Sequence, residues 1–259
     1  MTTQKTTDKI KKVITMELNY AIFKINKMIK ESNNIVFFGG AGVSTESGIP
    51  DFRSSEGIYM MDYKYPPEKI VSREFFKAHP EEFFEFYRKF LCYPDVKPNI
   101  AHYKLAELEA SGKLKAIVTQ NVDELHAKAG SKNIIKIHGD AKVNYCIDCG
   151  KEYDFDFVYK SEGVPRCKCG GIVRPDLVLF DEPLELEPYR AAEKAISEAD
   201  MLIVAGTSMS VYPAVNLLKK FKGKNSVLIN RDYSENEKNF RLVIHDNLGR
   251  VMDGIVITD

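Results

Sequence analysis

Four cysteines stand in two close pairs, Cys146-Ile-Asp-Cys149 and Cys167-Lys-Cys169, with seventeen residues between the pairs. Two chelating pairs of thiolates form a tetrahedral donor set suited to a borderline-soft d¹⁰ ion such as Zn²⁺. All four positions are taken by sulfur, which leaves no place for a water. The spacing therefore predicts one structural zinc ion that organises a small module and stays out of catalysis. The second pair is the tighter, and Gly170-Gly171 just beyond it can relieve the turn by positive φ. The fifth cysteine, Cys92, is alone and reads as a half-buried filler. An odd count with no secretion signal argues against a disulfide framework.

The second constellation is a run of apolar residues, Ile35-Val-Phe-Phe38, that passes into Gly39-Gly40-Ala41-Gly42-Val43-Ser44-Thr45. Such a stretch is how a strand hands a phosphate to a helix N-terminus. The pattern Gly-x-Gly-x-Ser-Thr meets the usual dinucleotide fingerprint only in part. Residues 48–57 are rich in turn formers and read as a loop lying across whatever the glycine turn holds; they include Asp51, Phe52 and Arg53. Two further strand ends carry polar groups: Gln120-Asn121-Val122-Asp123 after residues 115–119, and His138-Gly139-Asp140 after residues 134–137. Gly206-Thr207-Ser208 follows a third apolar run. A histidine so placed is fit to serve as a general base near neutral pH.

These groups meet only if the strands run parallel, with their carboxyl ends on one edge. The chain supports that arrangement. Residues 8–32 place Ile10, Val13, Ile14, Leu18, Ala21, Ile22, Ile25, Met28 and Ile29 at spacings of three and four, predicting one long amphipathic helix. The run at 35–38 is apolar at every position, as in a strand covered on both faces. Residues 63–110 read as irregular helices, with a core-forming aromatic stripe through Phe83, Phe84, Phe86, Tyr87 and Phe90. Past the cysteines a strand is expected at 176–180, a helix at 188–199, a strand at 201–205, a helix at 213–221, a strand at 227–230 and a last strand at 242–244. The expected fold class is α/β: a doubly wound parallel sheet with an inserted small module.

Length and composition agree with this reading. The chain has 259 residues, 44% hydrophobic and 29% charged, as expected of one sizeable globular unit. Lys plus Arg and Asp plus Glu are equal at 37 each, so overall charge favours neither nucleic acid nor an anionic membrane. No run approaches a membrane span, and the start lacks a signal-peptide core, so a cytoplasmic protein is expected.

In nearly every block the sequence resembles the sirtuin (Sir2-like) family of NAD-dependent protein deacylases, in its compact bacterial form. The resemblance is carried by Gly40-Ala-Gly-Val-Ser-Thr-Glu-Ser-Gly-Ile-Pro-Asp-Phe-Arg53, Thr119-Gln-Asn-Val-Asp123, His138-Gly139, the four cysteines, Arg174-Pro175-Asp176-Leu-Val-Leu-Phe180, Gly206-Thr-Ser208 and Tyr212-Pro213. It implies a Rossmann-like large domain over about residues 8–55, 100–142 and 174–259. It also implies a small domain made of a helical insert, about 56–99, and a zinc ribbon, about 143–173. NAD⁺ and an acyl-lysine peptide would enter the cleft between them from opposite sides, and the protein is expected to work as a monomer.

Carried over by motif, Gly40, Ala41, Gly42, Thr45, Asp51, Phe52 and Arg53 would face the cofactor. Gln120, Asn121, Val122 and Asp123 would do so too, Asn121 and Asp123 holding the nicotinamide carboxamide. Thr207 and Ser208 would contact phosphate, Asn230 the adenosine ribose, and Leu248 the adenine. The resemblance further implies that the acyl oxygen captures the ribosyl carbon as nicotinamide departs. His138 would then remove a proton from a ribose hydroxyl, giving free lysine and O-acyl-ADP-ribose. Tyr87, Phe90, Val178, Leu179 and Phe180 would receive the substrate. Relatives that remove acidic acyl groups carry Tyr with Arg three residues later; here Tyr87 is followed by Phe90, which predicts weak desuccinylation. Asp181, where glycine is common, adds a carboxylate beside the groove and suggests a preference for basic flanking residues. Asp140, where serine or asparagine is common, could hydrogen-bond nearby backbone; its role is otherwise open. The alternative activity is mono-ADP-ribosyl transfer from the same NAD⁺ site.

Overall fold

A computed structural model describes the backbone of residues 2–257, and side chains from residue 16 onward. The strands are β1 (Ile35–Gly39), β2 (Leu114–Thr119), β3 (Ile134–Lys136), β4 (Gly139–Cys146), β5 (Glu152–Tyr153), β6 (Val173–Leu177), β7 (Met201–Ala205), β8 (Asn225–Ile229) and β9 (Leu242–Ile244). Six of them form one sheet in the order β3-β2-β1-β7-β8-β9, every neighbour parallel. The two central strands, β1 and β7, are buried at every residue, as apolar runs between two helical layers must be.

One layer packs the helix Thr2–Glu31 through Ile25, Met28 and Ile29 beside the helices Ile100–Ala110 and Leu248–Asp253. The other packs the helix Leu186–Glu198 through Ala192 and Ile196 beside the 3₁₀ turns Ala214–Lys220. The expected amphipathic N-terminal helix is thus present; the side chains of Ile10, Val13 and Ile14 lie outside the described residues. Among the described residues, no helix is long and apolar enough to cross a membrane.

A second, antiparallel sheet has the order β5-β4-β6. Its apolar side shares a core with the short helices Arg73–Ala78 and Pro80–Phe90, where Phe75, Phe76, Phe83, Phe84, Phe86 and Tyr87 meet Val158, Val173 and Leu177. The aromatic stripe is core, as its helical spacing implied.

Three expectations are corrected, and one strand is new. The strand expected at 176–180 in the parallel sheet lies at Val173–Leu177 instead and pairs antiparallel with β4. Phe180 makes only an isolated bridge to Ser72. β4 itself carried no apolar run and had no counterpart in the periodicity. The segment expected as a helix at 213–221 winds as 3₁₀ over Ala214–Lys220. Finally, no α-helix follows the glycine turn: the chain makes two short 3₁₀ turns, Ala41–Val43 and Thr45–Ser47.

Candidate active site and metal centre

The glycine turn after β1 is held by the loop after β7. Gly40 N–H donates to the Ala205 carbonyl at 3.2 Å, and Gly42 N–H to the Gly206 carbonyl at 2.8 Å. A Cβ on Gly42 would sit 2.7 Å from Gly206 Cα, closer than real side chains approach, and Gly206 has φ +60°. The glycines therefore let two backbones mesh, and an α-helix starting at residue 41 has no room to form. The Ala41 and Ser208 N–H groups donate to no acceptor among the described residues. Both residues line the cleft, so these donors are open to an anion.

Thr207 is the hub of this end. Its hydroxyl accepts from Gln120 Nε2 at 3.0 Å and from the Met209 N–H at 3.2 Å. Asn230, at the end of β8, accepts the Thr207 N–H at 3.2 Å and donates to the Thr207 carbonyl at 2.8 Å. Both polar atoms of the Asn230 side chain are thus engaged in fixing the β7 loop. Asn230 lines the cleft, and its amide also positions Thr207.

Deeper in, Asn121 Nδ2 donates to Ser44 Oγ at 3.1 Å, and Ser44 donates to Asp123 Oδ2 at 2.8 Å. The other Asp123 oxygen accepts the Leu125 N–H at 2.9 Å. Burial raises the Asp123 carboxyl above its ordinary value, opposed by the Leu125 N–H, the Ser44 hydroxyl and Lys136. Ser44 was not singled out from sequence, although it lies in the glycine motif between residues that were. It links the two groups assigned to the carboxamide into one buried chain.

His138 follows β3 and lines the same cleft. Its Nδ1 lies 3.1 Å from the Gln120 carbonyl. A carbonyl can only accept, so Nδ1 carries the proton and Nε2 keeps its lone pair. Burial pulls the imidazole below its ordinary value, and the Gln120 carbonyl opposes this in part. Gly139, at φ +87°, is required here because a Cβ would collide with the Asp176 carbonyl. Asp140 now has an account: it pairs with Lys136 at 2.7 Å and accepts the Lys142 N–H at 2.9 Å, while Lys136 also meets Glu124.

The loop after the glycine turn is pinned through Asp51. Its Oδ1 accepts the N–H groups of Arg53 at 3.0 Å and Ser54 at 2.8 Å, and Oδ2 lies 3.6 Å from Arg231. Phe52 packs edge-on against Tyr59, and the Arg53 guanidinium lies over the Tyr59 ring. The cavity is about 900 Å³. It is lined by every residue assigned to the cofactor: Gly40, Ala41, Gly42, Thr45, Asp51, Phe52, Arg53, Gln120, Asn121, Val122, Asp123, His138, Thr207, Ser208, Asn230 and Leu248. A cleft of this size, lined by open N–H donors and by a buried amide–hydroxyl–carboxylate chain, fits a dinucleotide.

On the substrate side Phe90, Val178, Leu179 and Phe180 line the cavity, but Tyr87 does not. Tyr87 is fully buried with its hydroxyl toward the Ala141 carbonyl at 3.4 Å, because its ring completes the aromatic core. Its placement in the substrate pocket is corrected accordingly. Arg88 turns the other way and donates to the Val158 carbonyl, Ser161 Oγ and the Gly163 carbonyl, so it cannot stand in for an acyl-binding arginine. Asp181 sits at φ +67°, the left-handed region where aspartate is tolerated but glycine is easier. Cys92 is buried against this core and its thiol is pushed up to about 12 by burial, as expected of a filler.

The four clustered thiols meet at the open end of the small sheet. Their sulfurs all lie within 4.8 Å of one another, with Cys146–Cys169 at 3.5 Å and Cys149–Cys167 at 3.6 Å. Four sulfurs at Zn–S distances of about 2.3 Å on a tetrahedron are about 3.8 Å apart, so the set fits zinc. Tyr153 donates to Cys167 Sγ at 3.0 Å, and Gly170 takes φ +95°, the relief foreseen for the tighter pair.

One cluster was invisible in the sequence. His102 and His126 are buried with ring centroids 4.8 Å apart, and neither His126 nitrogen nor His102 Nε2 has a partner. Burial pulls His102 down to about 4; burial, then the His102 charge, pulls His126 to about 3. The unfolded chain takes up these protons near pH 6.5, before the folded chain can. Stability is therefore full above pH 6.5 and falls as pH drops toward 4. Chemical denaturation at pH 7.5 and 5.0 should show a lower midpoint at pH 5.0, and replacing His126 by a similar-sized apolar residue should reduce the difference.

Comparison with known proteins gives the family. A profile of the Sir2 family matches residues 40–213. The chain belongs to the Sir2 family. An NAD-dependent protein deacetylase of Clostridium perfringens is 54% identical over 239 residues, covering 91% of this chain and 98% of that protein. One from Sulfolobus acidocaldarius is 41% identical and covers 87% of this chain and 90% of its own length. Among solved structures, a Sir2 variant with a deacetylated p53 peptide and 3′-O-acetyl-ADP-ribose is 36% identical with a TM-score of 0.83, covering 90% of this Sir2 chain and 96% of that one. A Sir2–p53 peptide–NAD⁺ complex is 35% identical with a TM-score of 0.79, covering 89% and 95%.

Proposed function

We propose that this chain is an NAD⁺-dependent protein lysine deacetylase acting in the cytoplasm as a monomer, with one structural zinc ion and a preference for acetyl or longer acyl groups over succinyl. The reading is carried by His138, which lines the cleft that also holds the Asn121–Ser44–Asp123 chain and whose Nδ1 is held by the Gln120 carbonyl, leaving Nε2 as the base. NAD⁺ would supply the ribosyl carbon that the acyl oxygen meets as nicotinamide leaves; with one water taken up after that, acyl-lysine and NAD⁺ give free lysine, nicotinamide and O-acyl-ADP-ribose. Asn121 and Asp123 hold and orient a carboxamide, Asp123 accepting from its N–H₂. Phe52 and the pinned 51–54 loop exclude water from the bond that breaks. His138 Nε2 takes a ribose hydroxyl proton, and the Gln120 carbonyl supports the imidazolium that results. The Val178 carbonyl has no partner among the described residues and serves as acceptor for the substrate amide N–H.

The acyl end of the pocket is apolar, through Phe90, Leu91 and Leu179; on the 80–90 helix Arg88 is engaged elsewhere, and Lys89 lies over the Tyr63 and Phe90 rings and does not line the cavity. Acetyl, myristoyl, lactyl and succinyl peptides assayed with NAD⁺ for nicotinamide release should rank succinyl last, by about tenfold or more in kcat/KM. Matched acetyl peptides with basic flanks should outperform acidic ones because of Asp181. Equal rates across flanks would remove the role given to Asp181, and no acyl-dependent nicotinamide release would overturn the proposed activity.

A further inference from the structure

Arg174 is one of the few charged side chains that is buried. Its guanidinium forks onto Glu182, Nη1 to Oε1 at 2.7 Å and Nη2 to Oε2 at 3.0 Å, and lies over the Phe76 ring. Each partner also reaches backbone of the segment between them, Arg174 Nε donating to the Pro175 carbonyl at 3.3 Å. Arg174 Nη2 donates to the Leu177 carbonyl, and Glu182 Oε2 accepts the Leu179 N–H at 2.9 Å. The residue caught between these anchors is Val178, and its N–H donates to the carbonyl of His138 at 3.1 Å. Phe180 is fixed next, its N–H to the Val71 carbonyl at 2.9 Å and its carbonyl from the Arg73 N–H at 3.0 Å.

Residues 178–182 have left the small sheet, and Asp181 is left-handed, so no continuous strand ladder holds them. Single bonds to the His138, Val71 and Arg73 backbones fix Val178 and Phe180, and the ion pair fixes the alternate groups, the Leu177 carbonyl and the Leu179 N–H. Burial alone would raise the Glu182 carboxyl; Arg174 and the Leu179 N–H outweigh it and hold the group below its ordinary value, so it stays charged. A planar fork is geometrically exacting in a way that a lysine is not.

We propose that Arg174 and Glu182 are positioning residues that hold the substrate-binding segment 177–182 in register with His138, and so set affinity for the acyl-lysine peptide without setting affinity for NAD⁺. The inference rests on the deacetylase reading and deepens it at the peptide side of the same site. Arg174 does not line the cavity, and Glu182, which borders it, has both carboxylate oxygens engaged by Arg174 and the Leu179 N–H.

The test uses the full-length, zinc-loaded protein with Glu182→Gln and Arg174→Lys. Expected is a rise in peptide KM of about tenfold, the size of one lost charge-assisted hydrogen bond, with NAD⁺ KM within about twofold. Glu182→Gln, which keeps an acceptor for Leu179, should be the milder variant. Breaking one side of a buried pair can unfold the site, so thermal melting and zinc content are measured together with the double change Arg174→Met, Glu182→Leu, which leaves no buried charge unpaired. A folded double variant with wild-type peptide KM would overturn the proposal, as would equal rises in both KM values. A wild-type protein that releases no nicotinamide would instead overturn the functional reading, and that outcome is distinguishable from the others.

Discussion

His138→Ala lowers kcat/KM for deacetylation by about 10²–10⁴-fold, the contribution of a positioned general base, while the melting temperature and zinc content stay close to wild type. The imidazole makes one hydrogen bond, to the Gln120 carbonyl, and it lines an open cleft where water can replace that bond. Its removal costs chemistry and little structure. The base is needed only after nicotinamide has left, so exchange of labelled nicotinamide into NAD⁺ in the presence of acetyl peptide should survive the substitution. Near-normal deacetylation by purified His138→Ala would end the assignment. The pH profile provides an independent check. Burial holds the imidazole below its ordinary 6.5, so the neutral base predominates at all pH values above that. The acid limb of kcat/KM should fall below pH 6.5 and be absent from the residual rate of the alanine variant.

Removal of zinc has the other large expected effect. The small sheet has three strands, one of them two residues long, and its far end is closed only by knuckle turns around the thiols. Binding of structural zinc is worth about 10–16 kcal/mol in small cysteine modules, far more than so short a ladder supplies. Chelation, or Cys146→Ser, should abolish bound zinc and loosen β4 and β6. β4 begins at Gly139, directly after His138, and β6 leads into the substrate segment. Activity should therefore disappear although no thiol approaches the cleft. Hydrogen exchange should quicken over 139–177 and remain slow in β1 and β7. Full activity in metal-free protein would contradict this account.

The parallel sheet was legible because its strands are continuous apolar runs: residues 35–38 and 201–205 can be little else in a chain this polar. The strand ends then put the glycine turn, Asn121, Asp123, His138 and Thr207 on one edge by topology alone. The second sheet was hidden for a physical reason. β4 is half-exposed and mixed in character, and its partners are chosen by metal ligands and by the ion pair of Arg174 with Glu182 rather than by hydrophobic period. The apolar run Leu177-Val178-Leu179 consequently read as a strand of the wrong sheet. Residue type also said nothing about direction: Tyr87 and Phe90 lie on one helix, yet one fills the core and the other faces the cleft. Nor did it show that the Asn230 amide also holds the Thr207 backbone.

The meshing of Gly42 with Gly206 has a consequence for anyone wishing to retrain this protein toward another dinucleotide. The floor of the cleft at this turn is backbone against backbone, with no side chain to exchange, and it cannot be recontoured one position at a time. Variation is open at the rim, where Arg231 and Ser234 border the cavity. A library confined to those positions would search the part of the site that can change, over a base that cannot.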